Sequence, residues 1–582
     1  MNTPHYETPK GGYQRAFTVW DLPILIVIIS LITAILMGAS GMASPYNIGD
    51  AIPISLNPLN LFQYSASSVF RMLIALFFSF LATFTLGTLA AKNRRAEKMI
   101  IPLIDIMQSI PILGFQSVTI MSFIYLFPGS LLGPQCAAIF AIFTSQAWNM
   151  ILSFYQSLRN TPKEMRETAA MFHLNAWQQF WRIEVPFALP SLLWNTMMSL
   201  SASWFFVVAS EAISVSNQNI TLPGIGSYIH VALLARNGTA IIWAILAMFL
   251  VIVLYDQLIF RPLLTWSDKF KVDIQPDDDV HYPWFLNWLQ RSALINRLNG
   301  LLINLKMAII NFRWPSVPLP HFPKRFQLAL DYTAGIAWYL FLFSLLFLSF
   351  VFLSYFVYKN LSGHEVLKVF GLGLITGFKV AVLILGATLI WVPIGVYIGL
   401  NARLARFMQP IVQFCAAFPA DMAYPVLMML ILTYHLNVDI FSSPLMILGT
   451  QWYILFNVIA GTQTLPQDLR LAAQSYGVTG WLWWKRLILP TIFPYYVTGA
   501  MAAAGGCWNA SILADVITWG DTTVRVAGLG GYIASATQSG DFPRIALGIG
   551  VMCILVIIIN HLVWQRLYAL SETYTQRDNA YA

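Results

Sequence analysis

The sequence predicts an all-α polytopic membrane protein, built from two parallel-repeat six-helix modules with about twelve spans in one chain. Three observations carry that prediction. The 582 residues are 58% hydrophobic and only 10% charged, against roughly 25% charged in a soluble globular chain. Apolar runs of about 20 residues, long enough to cross a bilayer as a helix, recur along the chain. The second half also repeats the first in register.

Lipid offers the backbone no hydrogen-bond partners, so such runs must be helices. The first half reads as spans near 20–41, 66–91, 100–127, 132–156, 187–212 and 240–262. The second half reads as spans near 333–357, 372–400, 409–434, 441–463, 491–517 and 544–566. The first run follows Lys10 and Arg15 and reads as an uncleaved signal anchor, since many spans come after it. The formal charge of +8 is explained by topology rather than by nucleic acid. Lys92, Arg94, Arg95 and Lys98 follow span two, and Arg159, Lys163, Arg166 and Arg182 flank the loop after span four. Arg403, Arg406, Arg470, Lys485 and Arg486 fill the matching places in the second half, whereas segments 42–65, 128–131 and 435–440 contain no Lys or Arg. Basic loops stay in the cytoplasm, which places both termini on the cytoplasmic side. Arg71, Arg236, Lys368, Lys379 and Arg525 fall on the other side without reversing the rule. Cys136, Cys415, Cys507 and Cys553 sit in apolar stretches without ligand spacing and read as packing residues.

The repeat is the strongest signal. Adding 304 carries Trp148 to Trp452, Pro162 to Pro466, Arg166 to Arg470, Pro186 to Pro490, Trp204 to Trp508 and Gly224 to Gly528. Upstream, adding 308 carries Arg71 to Lys379, Gly87 to Gly395, Pro102 to Pro410 and Pro111 to Pro419. An even number of spans separates equivalent points, so the copies share one orientation about an axis along the membrane normal. The chain then divides into a first module (1–264), a linker (265–328) and a second module (329–582). The linker carries Lys269, Lys271 and the acidic run Asp277-Asp278-Asp279. Next come apolar residues at helical spacing from Phe285 to Ile309, which predict a helix lying in the membrane interface. Pro315, Pro318, Pro320 and Pro323 end it as a semi-rigid tether.

The cytoplasmic loop after span four is doubled as well. One copy runs Thr161-Pro162-Lys163-Glu164-Met165-Arg166-Glu167-Thr168-Ala169-Ala170, the other Leu465-Pro466-Gln467-Asp468-Leu469-Arg470-Leu471-Ala472-Ala473. A Pro before an acidic residue starts a helix well. A second, aromatic helix follows, with Trp177, Phe180 and Trp181 in one copy and Trp481, Trp483 and Trp484 in the other. Two short helices joined by a bend make a rigid knob suited to a partner's groove.

This loop resembles the permease subunits of binding-protein-dependent ABC importers, whose mark is Glu-Ala-Ala, three residues, Gly, nine residues, Ile-x-Leu-Pro. The first copy has Glu167-Thr168-Ala169, His173, Ile183 and Val185-Pro186 at those places; the second has Leu471-Ala472-Ala473, Gly477, Leu487 and Leu489-Pro490. Gln108-Ser109-Ile110-Pro111, Gly224-Ile225-Gly226-Ser227-Tyr228 and Gly528-Leu529-Gly530-Gly531-Tyr532 are similar to the nitrate/sulfonate/taurine branch. The resemblance implies that Arg166, Glu167, Ala169, His173, Arg470, Ala472, Ala473 and Gly477 belong to loops that dock ATP-binding subunits, two copies in all. It also implies an extracytoplasmic substrate-binding protein and a small anion, such as nitrate or a sulfonate, as cargo. The first copy lacks the bend Gly and the second lacks the Glu, which suggests either drift in a fused pair or two unequal ATPase contacts.

Glu211 and Asp515 end the fifth spans at symmetric positions, opposite Arg71 and Lys379. With Trp204 and Trp508 they are candidates for a pathway or gate. The plainer reading is a structural ion pair in each half, and Arg71 and Lys379 are the better candidates for attracting an anion. Asp105 has Gln413 rather than an acid as its counterpart. No P-loop, HExxH, CxxC or nucleophile elbow occurs, so no catalytic residue, cofactor or metal is expected, and ATP hydrolysis falls to a partner chain. The rival reading is a secondary transporter of two parallel six-helix halves, which would not need the doubled loop.

Overall fold

A computed structural model of the chain describes residues 18–39, 41–42, 44–47, 52–215, 218–270, 284–311, 324–519 and 522–570. Lys10, Arg15, Lys271, the acidic run at 277–279 and the four linker prolines lie outside the described residues, as does the side chain of Asp105.

The first module contains α1 (Asp21–Ala39), α2 (Pro58–Lys92), the pair α3 (Arg94–Ser109) and α4 (Ile112–Leu126), and α5 (Leu132–Arg159). After α5 come the short α6 (Lys163–Met171), the long α7 (Ala176–Glu211), α8 (Ile225–Leu234) and α9 (Gly238–Ser267). The linker holds α10 (Trp284–Arg291) and α11 (Ala293–Ile310). The second module runs α12 (Lys324–Asn360), α13 (Gly363–Leu400), α14 (Ala402–Ala417) and α15 (Tyr424–Thr433). It continues with α16 (Val438–Leu448), α17 (Gln451–Gln463), α18 (Gln467–Ser475), α19 (Gly480–Ala514), α20 (Leu529–Ser539) and α21 (Phe542–Leu570).

The chain is overwhelmingly helical, and the expected count of about twelve spans is not confirmed. Among the described residues, eight helices are long and apolar enough to cross a membrane, or nine if the pair α16–α17, bent by 44°, is one span. The third span of each module is the clearest departure. It breaks at Ile110-Pro111 and again at Phe418-Pro419, where the backbone is extended (Pro111 ψ 116°, Pro419 ψ 104°). Proline has no N–H to donate and crowds the residue before it out of the helical region, so a span with Pro at its centre splits there. The N–H of Ile112, freed by the break, donates to Asn509 Oδ1 of α19 at 2.8 Å. Each third span opens on an Asn cap, with Asn93 Oδ1 accepting from Arg95 N at 2.9 Å and Asn401 Oδ1 from Arg403 N at 3.1 Å.

Two small hairpins also depart from an all-α reading. Strand β1 (Ala212–Val215) pairs antiparallel with β2 (Gln218–Thr221), and β3 (Val516–Trp519) pairs with β4 (Thr522–Arg525). They sit at equivalent places, each just beyond a fifth span.

Within a module, α5 packs along α7 and α2, and α17 along α19 and α13. Fully buried Ala137, Ala147, Ala188, Ala500 and Ala503 let these backbones approach closely. Between modules the third spans cross over: α4 packs on α19 and α21, and α14 on α7. Ile112, Leu113, Ala141 and Phe206 are thereby buried in a core otherwise supplied by the second module. Val412, Ala417 and Phe456 lie in the first module's core. The linker is more than a tether. Asp21 at the head of α1 accepts from Ser292 Oγ at 2.5 Å and from Leu294 N at 3.1 Å, and Trp20 packs on Trp288. Helix α12 begins at Lys324, inside the stretch read as linker.

Candidate functional site

Two sets of sequence-singled residues come together at opposite ends of the same helices. At one end, α6 and α18 follow Pro162 and Pro466. Both end in the same left-handed turn. His173 has φ 49° and Gly477 has φ 64°. In the first turn, His173 N donates to Ala170 O at 3.0 Å and Leu174 N to Ala169 O at 3.0 Å. In the second, Gly477 N donates to Gln474 O at 3.1 Å and Val478 N to Ala473 O at 2.9 Å. These are paired Schellman closures, and they satisfy carbonyls that the helix end would leave bare. The His that replaces the family glycine therefore keeps the bend, in a conformation that a non-glycine side chain adopts at some cost.

The two arginines anchor the knobs. Arg166 Nη2 donates to Leu158 O at 3.1 Å, at the C-terminus of α5. Arg470 Nη2 donates to Leu400 O at 3.0 Å, at the C-terminus of α13. A cation at a helix C-terminus meets bare carbonyls and the negative end of the dipole. Ala169 is buried beneath the first knob and Ala473 is half-buried beneath the second, whereas Glu167 and Ala472 are exposed.

At the other end, Glu211 and Arg71 form an ion pair with no exposed side-chain surface on either partner. Glu211 Oε1 also accepts from Ser68 Oγ at 2.6 Å, and Oε2 accepts from Gly226 N at 2.7 Å. Arg71 Nε also donates to Gln135 Oε1 at 2.6 Å, and Nη2 donates to Pro223 O. In the second module Lys379 Nζ lies 3.6 Å from Asp515 Oδ1 and donates to Ala527 O at 2.8 Å, while Asp515 Oδ2 accepts from Gly531 N at 3.3 Å. The glycines of the Gly-x-Gly turns are explained by this packing. A Cβ on Gly224 would fall 2.2 Å from Glu211 Cδ, and one on Gly528 would fall 2.3 Å from Asp515 Oδ2. The symmetric charges thus meet as two ion pairs.

Sequence reasoning missed their partners. Ser68 Oγ accepts from Ile225 N at 3.1 Å, and Thr376 Oγ1 accepts from Leu529 N at 2.9 Å. The offset of 308 that links Arg71 to Lys379 also links Ser68 to Thr376, so the register could have found them. The offset of 304 makes Asp439 the counterpart of Gln135. Asp439 Oδ1 accepts from Ala527 N at 3.3 Å, beside Lys379. Trp204 and Trp508 are buried: Trp204 stands edge-on to Tyr255, and Trp508 lies in the second module's core.

The family described as the inner membrane component of binding-protein-dependent transport systems matches residues 83–260 and 391–574, more than half of the chain. Over 163 residues the chain is 26% identical to the bicarbonate transport system permease CmpB of Synechococcus elongatus, covering 28% of this chain and 55% of that protein. Over 189 residues it is 26% identical to the nitrate import permease NrtB of Leptolyngbya laminosa, covering 32% of this chain and 63% of that one. Over 225 residues it is 24% identical to the glycine betaine/proline betaine permease ProW of Escherichia coli, covering 37% and 58%. The matched stretches span little more than half the length of these relatives. With two matched segments in the register of its internal repeat, the chain belongs to the permease family of binding-protein-dependent ABC importers and carries two permease modules in one polypeptide.

Proposed function

We propose that this chain forms the whole translocation path of an ATP-driven importer in a bacterial inner membrane, with both termini in the cytoplasm. A pair of ATP-binding subunits docks on α6 and α18, and an extracytoplasmic binding protein delivers the solute. The observation that carries this reading is the doubled knob: two bends of one geometry, His173 and Gly477, in loops of conserved spacing. A secondary transporter has no use for that device.

Continuity of α7 and α19 suggests how the knobs would act. Helix α7 runs 36 residues from the first knob to Glu211, about 54 Å at 1.5 Å per residue. Helix α19 runs from the second knob to the residue before Asp515. ATP-driven closure of the docked subunits would draw the knobs together. The fifth spans would carry that displacement outward to the ion-paired Gly-x-Gly turns. Arg71–Glu211 and Lys379–Asp515 then hold the outer ends of the moving helices to α2 and α13 as fixed hinges. Neutralised in this way, Arg71 and Lys379 are poorly placed to attract an anion by net charge.

For the cargo we propose a small oxyanion, in keeping with the nitrate and bicarbonate relatives. A small zwitterion is the competing reading, since the Arg71 charge is paired with Glu211 and a betaine permease is also among the relatives. Uptake of labelled nitrate, bicarbonate and glycine betaine into proteoliposomes, with the binding protein outside, separates the two. Accumulation of an oxyanion alone supports the first. Accumulation of glycine betaine alone replaces it with the second.

A further inference from the structure

The two knobs share a backbone but not a surface. At register-equivalent positions the apolar and charged side chains change places. Glu167 is exposed on α6, and Leu471, its counterpart on α18, is 59% exposed. Lys163 adds charge to the exposed part of α6, Glu164 and Asp468 give each knob one exposed acid, and Leu469, at 51%, adds apolar area to α18. Trp481 and Leu482 extend that apolar face past the second bend, whereas their counterparts Trp177 and Gln178 are half-buried. The aromatic tip is kept, with Phe172 and Tyr476 both largely exposed, and beside it the first knob has exposed Met171 where the second has Ser475. The lipid-facing helices explain exposed Leu and Phe elsewhere in the chain, but these loops stand outside the membrane, where such area is covered only by a partner.

The knobs are also braced differently. Lys92 Nζ, at the cytoplasmic end of α2, lies 2.8 Å from Glu184 Oε2 and 5.1 Å above the Phe180 ring. Arg182 Nη2 donates to Asn311 Oδ1 at the end of α11 at 2.8 Å. At the equivalent places the second module has Leu400, Ile488 and Arg486. Leu400 there offers a carbonyl to Arg470 rather than a charge.

We infer that the two ATPase contacts are of different kinds: the first knob seats Glu167 against a cationic notch, and the second buries Leu469, Leu471 and Trp481 against an apolar wall. This inference rests on the docking reading proposed above. Charge contacts at an interface rim are screened by salt, whereas apolar burial is not. The Debye length falls from about 30 Å at 0.01 M to about 3 Å at 1 M salt, so salt separates the two contacts.

The test uses the full chain in nanodiscs with the ATP-binding chain that co-purifies with it. Met171→Cys and Ser475→Cys, introduced singly after replacing the four native cysteines, report each knob by cross-link yield. Both positions are exposed at the ends of α6 and α18. Raising salt should lower the yield at position 171 by about tenfold and that at 475 by less than about twofold. Glu167→Gln should reproduce the loss at 171 already at low salt. Leu471→Asn should lower the yield at 475 equally at both salt concentrations. Parallel loss at both positions with salt overturns the inference, as does a 171 yield that keeps its salt dependence in Glu167→Gln. Absence of cross-linking at both positions in all salts, from a folded chain, overturns the docking reading itself and the inequality with it.

Discussion

Glu211 and Asp515 occupy the same register position, yet their surroundings differ enough to give different penalties on neutralisation. Glu211 is sealed with Arg71, whereas Lys379 keeps 12% of its side chain exposed and stands farther from Asp515. Breaking a fully buried pair by removing one charge costs about 3–5 kcal/mol, because the partner is left uncompensated. Glu211→Gln should therefore lower the thermal unfolding temperature in detergent by clearly more than Asp515→Asn does, and equal losses would contradict the burial argument. Gly224→Ala should be as damaging as Glu211→Gln in the same assay, since its methyl would overlap the Glu211 carboxylate. The acids and bases were legible in the sequence because charge in an apolar run stands out. Ser68, Thr376 and Gln135 carry no such charge signal; the repeat register pairs Ser68 with Thr376, but only the backbone N–H or guanidinium beside each residue shows its role.

At the scale of elements, the bends are the clearest case of different residues reaching one conformation. The left-handed region costs a side chain with a Cβ roughly 1–2 kcal/mol, least for Asn, Asp and His. Gly477→Ala should thus destabilise the second knob by about 1 kcal/mol. His173→Gly should be neutral to slightly stabilising, since the turn already has its Schellman bonds. Amide hydrogen exchange across 163–175 and 467–479 measures both. Protection lost in His173→Gly would mean that the imidazole itself holds the first bend. Helix starts, the bend positions and the helical character of the linker were legible from Pro, Gly and spacing. The broken third spans were not recognised, although Pro111 and Pro419 were noted. Hydropathy averages over a proline, and only the extended backbone at Ile110 and Phe418 shows two short helices where the average shows one span. The hairpins escaped because four-residue strands beside a span leave no periodicity to read.

For the whole molecule, the repeat of 304 and 308 residues reported two modules and their parallel orientation, and the family match covers both. It could not report the exchange of third spans between modules, since a register says which residues are equivalent and not which module they pack on. That exchange, with Ile112 bonded to Asn509 and Gln413 Nε2 donating to Asp256 Oδ1 at 3.1 Å, makes one chain a closed pair. Asn509→Ala should loosen the pair and leave the Ile112 N–H bare, at about 1–3 kcal/mol, read as a lower unfolding temperature in detergent. In the proposed assembly a single chain supplies both halves of the path and both ATPase seats. The native mass of the complex purified from membranes tests it most directly. One copy of this chain with two ATP-binding chains is the predicted result; two copies of this chain in each complex would contradict it.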